Sequence, residues 1–187
     1  MFSVIHKFLT RLFGKPKVGV LAGTRVYLSG PIENGNGPDW RIEPKRVLTE
    51  RFKINVFDPF KDPKQQWVPD LNKARATKDY ETMVNIAKSF VRKDLAIVDR
   101  SDFVISYMPH KVPTTGTHHE VINSNNSKKP TLIVCPQGKE FVPLWYFGFI
   151  PHECMFGSWD ELYKYLEDVE NGLQKENNRW HFVYGMI

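Results

Sequence analysis

The sequence is poor in the features that mark several common classes of protein. It has only two cysteines among 187 residues, Cys135 and Cys154, and they form no Cys-x-x-Cys pair. A disulfide framework is therefore not expected, and a reducing cytoplasmic location is favoured. No apolar run approaches the roughly 20 residues that a membrane-spanning helix needs, so no membrane partner is expected either.

Three sequence signatures are also missing. Gly30, Gly35 and Gly37 do not have the spacing of G-x-G-x-x-G, and there is neither a Walker A sequence nor a G-x-S-x-G elbow. The segments at 118–120 and 152–154 are rich in histidine and glutamate, but adjacent helical residues point about 100° apart and cannot easily share one ion. The sequence predicts no dinucleotide cofactor and no metal centre.

Acidic residues are absent before Glu33, although the whole chain carries 21 of them against 26 lysines and arginines, for a net charge of +5. Residues 2–13 instead combine basic side chains with apolar ones at helical spacing, which predicts a basic amphipathic helix. We treat residues 1–24 as an extension that could touch a membrane surface, serve as a transit peptide or pack on protein, and favour packing. The small net positive charge favours phosphorylated small-molecule ligands, and it is only weak support for nucleic-acid binding.

Strand and helix patterns alternate through residues 25–187, which we take as one domain. Buried strands are predicted at 25–30, 54–57, 103–108 and 131–135, and helices at 40–52, 79–98, 117–124 and 159–170. The proline-rich segment 61–72 is expected to be a loop or lid. This order predicts an α/β protein with a parallel sheet between two layers of helices, whose ligand binds beyond the carboxyl ends of the strands.

Two carboxylates stand out. Glu120 ends the segment Gly-Thr-His-His-Glu, a short loop leading into a helix, where exposed N–H groups suit an anionic or sugar-like ligand. Asp94 falls in the apolar stripe of the helix at 79–98, which we expect to face inward. A buried carboxylate costs free energy unless it is paired or used, so Asp94 has either a functional role or a local hydrogen-bonding one.

Three blocks in the right order resemble the nucleoside 2-deoxyribosyltransferase family. They are YLSGPI at 27–32, KDLAIVDRSDFVISYM at 93–108, and TTGTHHEVINSNNSKKPTLIV at 114–134. Together they span roughly residues 25–136. The resemblance implies a flavodoxin-like, Rossmann-like fold and an enzyme that works without a cofactor.

The resemblance also implies roles for individual residues. Glu120 matches the nucleophile that attacks the anomeric carbon, Asp94 the acid that protonates the leaving base, and Tyr27 the hydroxyl that orients the nucleophile. The positions implied to contact substrate are Ser29, Gly30, Pro31, Ile32, Asp58, Thr114, Thr115, Gly116 and Thr117.

Thr114 departs from the family pattern. Members acting on free nucleosides have an aspartate six residues before the nucleophile, whereas the 2'-deoxynucleoside 5'-monophosphate N-glycosidase branch has a serine that helps hold the phosphate. A hydroxyl accommodates a phosphate that a carboxylate would repel. Pro31, however, replaces the serine that this branch carries after its first glycine.

The sequence therefore predicts cleavage or exchange of the N-glycosidic bond of a nucleoside 5'-monophosphate. Transfer between free nucleosides and a non-catalytic nucleotide sensor are the alternatives. The family resemblance further implies a homo-oligomer, for which the aromatic segments 145–149 and 180–184 are candidate contacts.

Overall fold

The computed structural model describes residues 19–32 and 39–185. The predicted basic helix at 2–13 and the glycines at 35 and 37 lie outside the described residues. Within the described ranges, no helix is both long and apolar enough to cross a membrane.

A five-stranded parallel sheet forms the centre of the domain, in the order β2-β1-β3-β4-β5. The strands are β1 (Arg25–Ser29), β2 (Asn55–Phe57), β3 (Phe103–Tyr107), β4 (Thr131–Val134) and β5 (Met155–Phe156). This order is that of flavodoxin-like sheets, and it places the point where the winding reverses between β1 and β3. The predicted fold class is confirmed. The two-residue strand β5 was not predicted, because it is too short to show alternation.

Helices cover both faces of the sheet. They are α1 (Asp39–Glu50), α2 (Val68–Thr77), α3 (Tyr80–Arg100), α4 (Thr115–Asn126), α5 (Trp159–Glu170) and the short α6 (His181–Tyr184). The larger core cluster includes Leu48 of α1 and Leu162 of α5, packed with Leu28 and Ile105. Tyr27 and Val104 belong to a smaller cluster with Val98 of α3. Neighbouring strand residues thus serve opposite faces, as the two-residue period of a strand requires.

The packed domain begins before residue 25. Leu21 is fully buried in the larger core cluster. The Glu170 carboxylate accepts hydrogen bonds from the backbone N–H groups of Val20 and Leu21, at 2.8 and 3.1 Å. Residues 19–24 are therefore part of the domain.

The segment predicted as a loop or lid at 61–72 is helical instead. Two 3₁₀ helices, Pro59–Lys61 and Pro63–Trp67, lead into α2. The prolines stand in the first turn of these segments, where a missing N–H costs nothing. Asp58 and Asp62 cap the two 3₁₀ helices by accepting from the N–H groups of Phe60 and Lys64, at 3.0 and 2.8 Å. The prolines start helices here rather than interrupt them.

The apolar stripe of α3 is only partly inward-facing, so that prediction was wrong for most of the helix. Val98 is fully buried, but Tyr80, Val84 and Val91 are 67%, 45% and 47% exposed. A helix of 21 residues is about 32 Å long. Strands of three to five residues span at most about 17 Å. The amino-terminal part of α3 thus extends past the sheet and packs against α2.

The predicted contact segment 180–184 is divided: Phe182 is 47% exposed, whereas Trp180 packs within its own chain. Its side chain is fully buried, and its indole N–H donates to the Tyr165 hydroxyl at 2.9 Å. It stacks with rings of its own chain and is unavailable to another subunit. In the other aromatic segment, Trp145 is 81% exposed.

Candidate active site

The Glu120 carboxylate is held from both sides by hydroxyl groups of β1. Tyr27 donates to Oε1 at 2.7 Å, and Ser29 donates to Oε2. Tyr27 and Ser29 are two residues apart on one strand, so they point to the same face of the sheet, toward α4. Glu120 lies in the second turn of α4 and is only 8% exposed. Both carboxylate oxygens thus have fixed positions at the carboxyl end of the sheet.

Burial dominates the electrostatics of Glu120. It raises the pKa of this carboxyl to about 7, against the opposing effect of the hydrogen bonds from Ser29 and Tyr27. The charge of Asp94 raises the pKa further, and Lys64 lowers it. Burial also raises the pKa of Tyr27, as does the neighbouring Glu120 charge. Tyr27 therefore remains a protonated hydrogen-bond donor throughout the physiological range.

Asp94 lies in the last third of α3, where this helix covers the sheet. It forms an ion pair with the buried Lys64 of the second 3₁₀ helix. Burial raises the pKa of Asp94, and the nearby charge of Asp62 raises it further. The Lys64 ammonium and the Tyr27 hydroxyl lower this pKa. The charge of Asp94 acts on both Glu120 and Tyr27, so the three side chains lie near enough to interact.

Lys64 and Arg41 are site residues that the sequence analysis missed. Lys64 lies in the segment taken for a loop, and the Asp62-Pro63 helix start was the available signal for its position. Arg41 is almost fully buried and donates to the carbonyl oxygens of Gly30 and Pro31, at 2.8 and 3.1 Å. No local pattern distinguishes it from an exposed arginine on a helix.

The turn after β1 is tightly packed. Gly30 has φ +155°, and a Cβ there would lie 2.4 Å from the Trp40 ring and 3.0 Å from the Tyr107 carbonyl oxygen. Trp40 stacks on Tyr107 with ring centroids 4.6 Å apart. Pro31 is buried, and Ile32 is partly exposed at the end of the described turn.

Asp58 is engaged within the protein. Its Oδ1 lies 3.4 Å from Nε of the buried Arg41, and it caps the first 3₁₀ helix. Through Arg41 it supports the carbonyl groups of Gly30 and Pro31. Asp58 is thus held by contacts within the protein, and its contact with substrate stays a prediction.

The amino-terminal end of α4 is open. Thr114 precedes the helix and makes no side-chain cap, although its hydroxyl lies 3.5 Å from Nε2 of His118. The first N–H groups of a helix have no acceptors within it. Thr115 and Gly116 are exposed, Thr117 is buried, and a Cβ on Gly116 would meet nothing within 4 Å. His118 contacts the buried Tyr146 hydroxyl through Nδ1 and thereby anchors this end of the helix.

The amino-acid sequence of residues 23–139 matches a family model described as "Nucleoside 2-deoxyribosyltransferase like". The chain belongs to this family. The matched range includes Tyr27, Asp94 and Glu120, and it ends before the exposed aromatic segment at 145–149. The nucleoside 2-deoxyribosyltransferase-like family is a family of enzymes, so the sequence resemblance and the expectation of an enzyme are confirmed.

Solved structures resemble this deoxyribosyltransferase-like chain at low sequence identity. The 2-deoxyribosyltransferase of Bacillus psychrosaccharolyticus is 19% identical, covers 74% of this chain and 90% of its own, and has a TM-score of 0.51. This likeness supports the shared fold.

Two further structures align with lower TM-scores. The CMP N-glycosidase BcmB of Clostridium botulinum is 15% identical with a TM-score of 0.44, over 77% of this chain and 98% of its own. The 2-desoxiribosyltransferase of Leishmania mexicana is 14% identical with a TM-score of 0.45, over 76% and 95%. Among curated proteins, no sequence matches the chain significantly.

Proposed function

We propose that this enzyme cleaves or exchanges the N-glycosidic bond of a deoxynucleoside 5'-monophosphate through a covalent glycosyl-enzyme on Glu120. The observation that carries the proposal is the buried Glu120 carboxylate, with one oxygen bound by Tyr27 and the other by Ser29. A carboxylate with fixed oxygens beside a second carboxyl group is the arrangement that retaining glycosyl transfer requires.

The first half-reaction uses the two carboxyl groups in different states. As the bond from C1' to the base nitrogen breaks, an oxygen of ionised Glu120 forms a bond to C1'. Asp94 transfers its proton to the departing base. A buried carboxyl with a raised pKa is suited to this acid role. The second half-reaction hydrolyses the intermediate with water or transfers the sugar to another base.

The nature of the α4 amino terminus supports a 5'-phosphate on the substrate. This end presents free N–H groups and the positive end of the helix dipole, both favourable to an anion. The uncharged Thr114 stands where free-nucleoside enzymes of the family carry an aspartate, and the space beside Gly116 is open. A phosphate there would lie about one helical turn from Glu120.

We also propose that the enzyme is a homo-oligomer and that the exposed apolar stripe of α3 takes part in the contact. Tyr80, Val84 and Val91 form a continuous surface on the helix that carries Asp94. Water-exposed apolar stripes of this kind mark surfaces that another protein covers. The exposed Trp145 is a second candidate contact with another subunit.

Product analysis tests the proposed reaction directly. The pure protein is incubated with each deoxynucleoside and each 5'-monophosphate, with and without a second free base, and products are separated by chromatography. Free base from monophosphates alone indicates a hydrolase, and a new nucleotide formed only with a second base indicates a transferase. Equal turnover of free nucleosides would reject the phosphate requirement. Binding without any product would favour a sensor.

The Glu120→Ala variant tests the nucleophile. Loss of the attacking oxygen should lower turnover by roughly 10³-fold or more while the fold is retained. Circular dichroism establishes folding, and exposed Glu176→Ala is the matched control. Unchanged turnover by Glu120→Ala would reject the covalent mechanism.

A further inference from the structure

Lys64 is buried in an unusual place for a lysine. It is 5% exposed, and its ammonium group pairs with the carboxylate of Asp94, 30 residues away in sequence. Its Nζ also lies 5.5 Å from the centre of the Phe90 ring. A buried ammonium group is costly without a partner, and removing either member of such a pair leaves an uncompensated charge. Lys64 is therefore held against Asp94 by strong local constraints.

The position of Lys64 is set by the capped 3₁₀ helix. Asp62 accepts from the backbone N–H of Lys64 at 2.8 Å, so its carboxylate fixes the chain at this point. Asp62 also forms an ion pair with Lys93, at 2.7 Å. Within the described part of the chain, Lys64 is the cation in ion-pair contact with Asp94.

The groups around Asp94 come from four elements. Lys64 and Asp62 belong to the 3₁₀ helix and its cap, Tyr27 to β1 and Glu120 to α4, while Lys93 is its neighbour on α3. The charge of Lys64 also reaches Glu120. A single ammonium group thus acts on both carboxyl groups of the site.

We propose that Lys64 is a positioning residue for Asp94, and that its charge sets the pH range in which Asp94 holds the proton destined for the leaving base. The proposal rests on the proposed function. In the reactive state Glu120 is ionised and Asp94 is protonated, so the two groups share one proton. That proton moves from an Asp94 oxygen to the base nitrogen as the bond to C1' breaks. Lys64 orients the Asp94 carboxyl and opposes its protonation.

The structure gives the direction of this effect. Lys64 lowers the pKa of Asp94, against burial and Asp62, and it lowers the pKa of Glu120 as well. Replacing the ammonium group by an uncharged side chain removes both effects. The pKa values of the pair then rise, and the bell-shaped profile that depends on one shared proton moves to higher pH.

The test compares pH profiles of kcat/KM for the wild type, Lys64→Met and Lys64→Arg. The centre of the Lys64→Met profile is expected to move up by roughly 1 pH unit or more, as for loss of an adjacent opposite charge. Lys64→Arg keeps the charge and should restore the wild-type position. Lys73→Met is the matched control, because Lys73 is an exposed lysine on α2. A Lys64→Met profile that coincides with the wild type overturns the proposal.

A second measurement is independent of turnover. The Asp94 carboxyl carbon is titrated by ¹³C NMR in the free protein, and its signal is assigned with Asp94→Asn. Its midpoint should rise in Lys64→Met and stay near the wild-type value in the exposed-lysine control Lys73→Met. An unmoved midpoint overturns the proposal about Lys64, whether or not the wild type is active. An inactive wild type would by itself reject only the proposed function. Lys64→Gln, which retains hydrogen bonding, replaces Lys64→Met in both measurements if the methionine variant does not fold.

Discussion

At the scale of single residues, burial of the Glu120 carboxyl makes its ionisation unfavourable in the folded protein. The pKa of about 7 lies well above the ordinary value of 4.5. The folded protein therefore binds this proton more tightly than the unfolded chain does. Between about pH 4.5 and 7 the unfolded state releases the proton first, so this group's contribution to stability is full at low pH and is lost as pH rises through that window.

Glu120→Gln should relieve this loss. The free energy of unfolding of the variant, relative to the wild type, is expected to rise by roughly 2–3 kcal/mol between pH 5 and pH 8. Urea unfolding at the two pH values measures it, with the exposed Glu176→Gln as the control. A difference that does not depend on pH would show that Glu120 is ionised equally easily in both states.

We predict that Thr114 influences the choice between monophosphates and free nucleosides. Thr114→Asp introduces a charge that repels a 5'-phosphate, so kcat/KM for monophosphates should fall by about 10-fold or more. Activity on free nucleosides should fall less or rise. Thr114→Asn, similar in size and uncharged, separates charge from shape. Equal losses for both variants on both substrate types would indicate that Thr114 has only a packing role.

At the scale of elements, the two glycine positions of the candidate site differ in the space that they leave for a side chain. Gly30 follows β1 against the Trp40 ring, whereas Gly116 faces open space in the first turn of α4. Gly30→Ala should lower the free energy of unfolding by about 1–3 kcal/mol, because the added methyl group overpacks the turn. Gly116→Ala should leave stability unchanged or raise it by up to about 1 kcal/mol.

The same pair of variants separates folding from binding. Gly116→Ala places a methyl group where we propose the phosphate binds, so KM for monophosphates should rise although the protein is as stable as the wild type. Urea unfolding and steady-state kinetics measure the two effects. A normal KM would place the phosphate elsewhere.

At the scale of the whole molecule, the length of α3 leaves an apolar stripe exposed, and we propose that another subunit covers it. Val84→Glu combined with Val91→Glu puts two charges on the exposed stripe and should convert the proposed oligomer into monomers of 21.8 kDa. Light scattering after size-exclusion chromatography measures the mass at micromolar concentration. Leu173→Glu, at an exposed position outside α3, is the control. A wild-type protein that is strictly monomeric would reject the proposed assembly.

Local sequence determined the order of strands and helices, the parallel sheet and the positions of the two carboxylates. Each of these depends on a short-range pattern: strand residues bounded by turn residues, a glycine-rich helix start, and three family blocks in a fixed order. The pairing of Glu120 with Tyr27 and Ser29 follows from the same topology, because β1 lies beside β3 and α4 follows β3. The catalytic roles of these residues remain predictions.

Tertiary structure alone decided the contacts between distant segments. Lys64 reaches Asp94 only because the proline-containing segment folds into capped helices. Arg41, which lies on α1, reaches the carbonyl oxygen of Gly30 in the turn after β1. The stripe of α3 has the same period along its whole length, yet only its last third is covered. Periodicity shows which side chains share a face, whereas burial depends on whether another element extends far enough to cover that face.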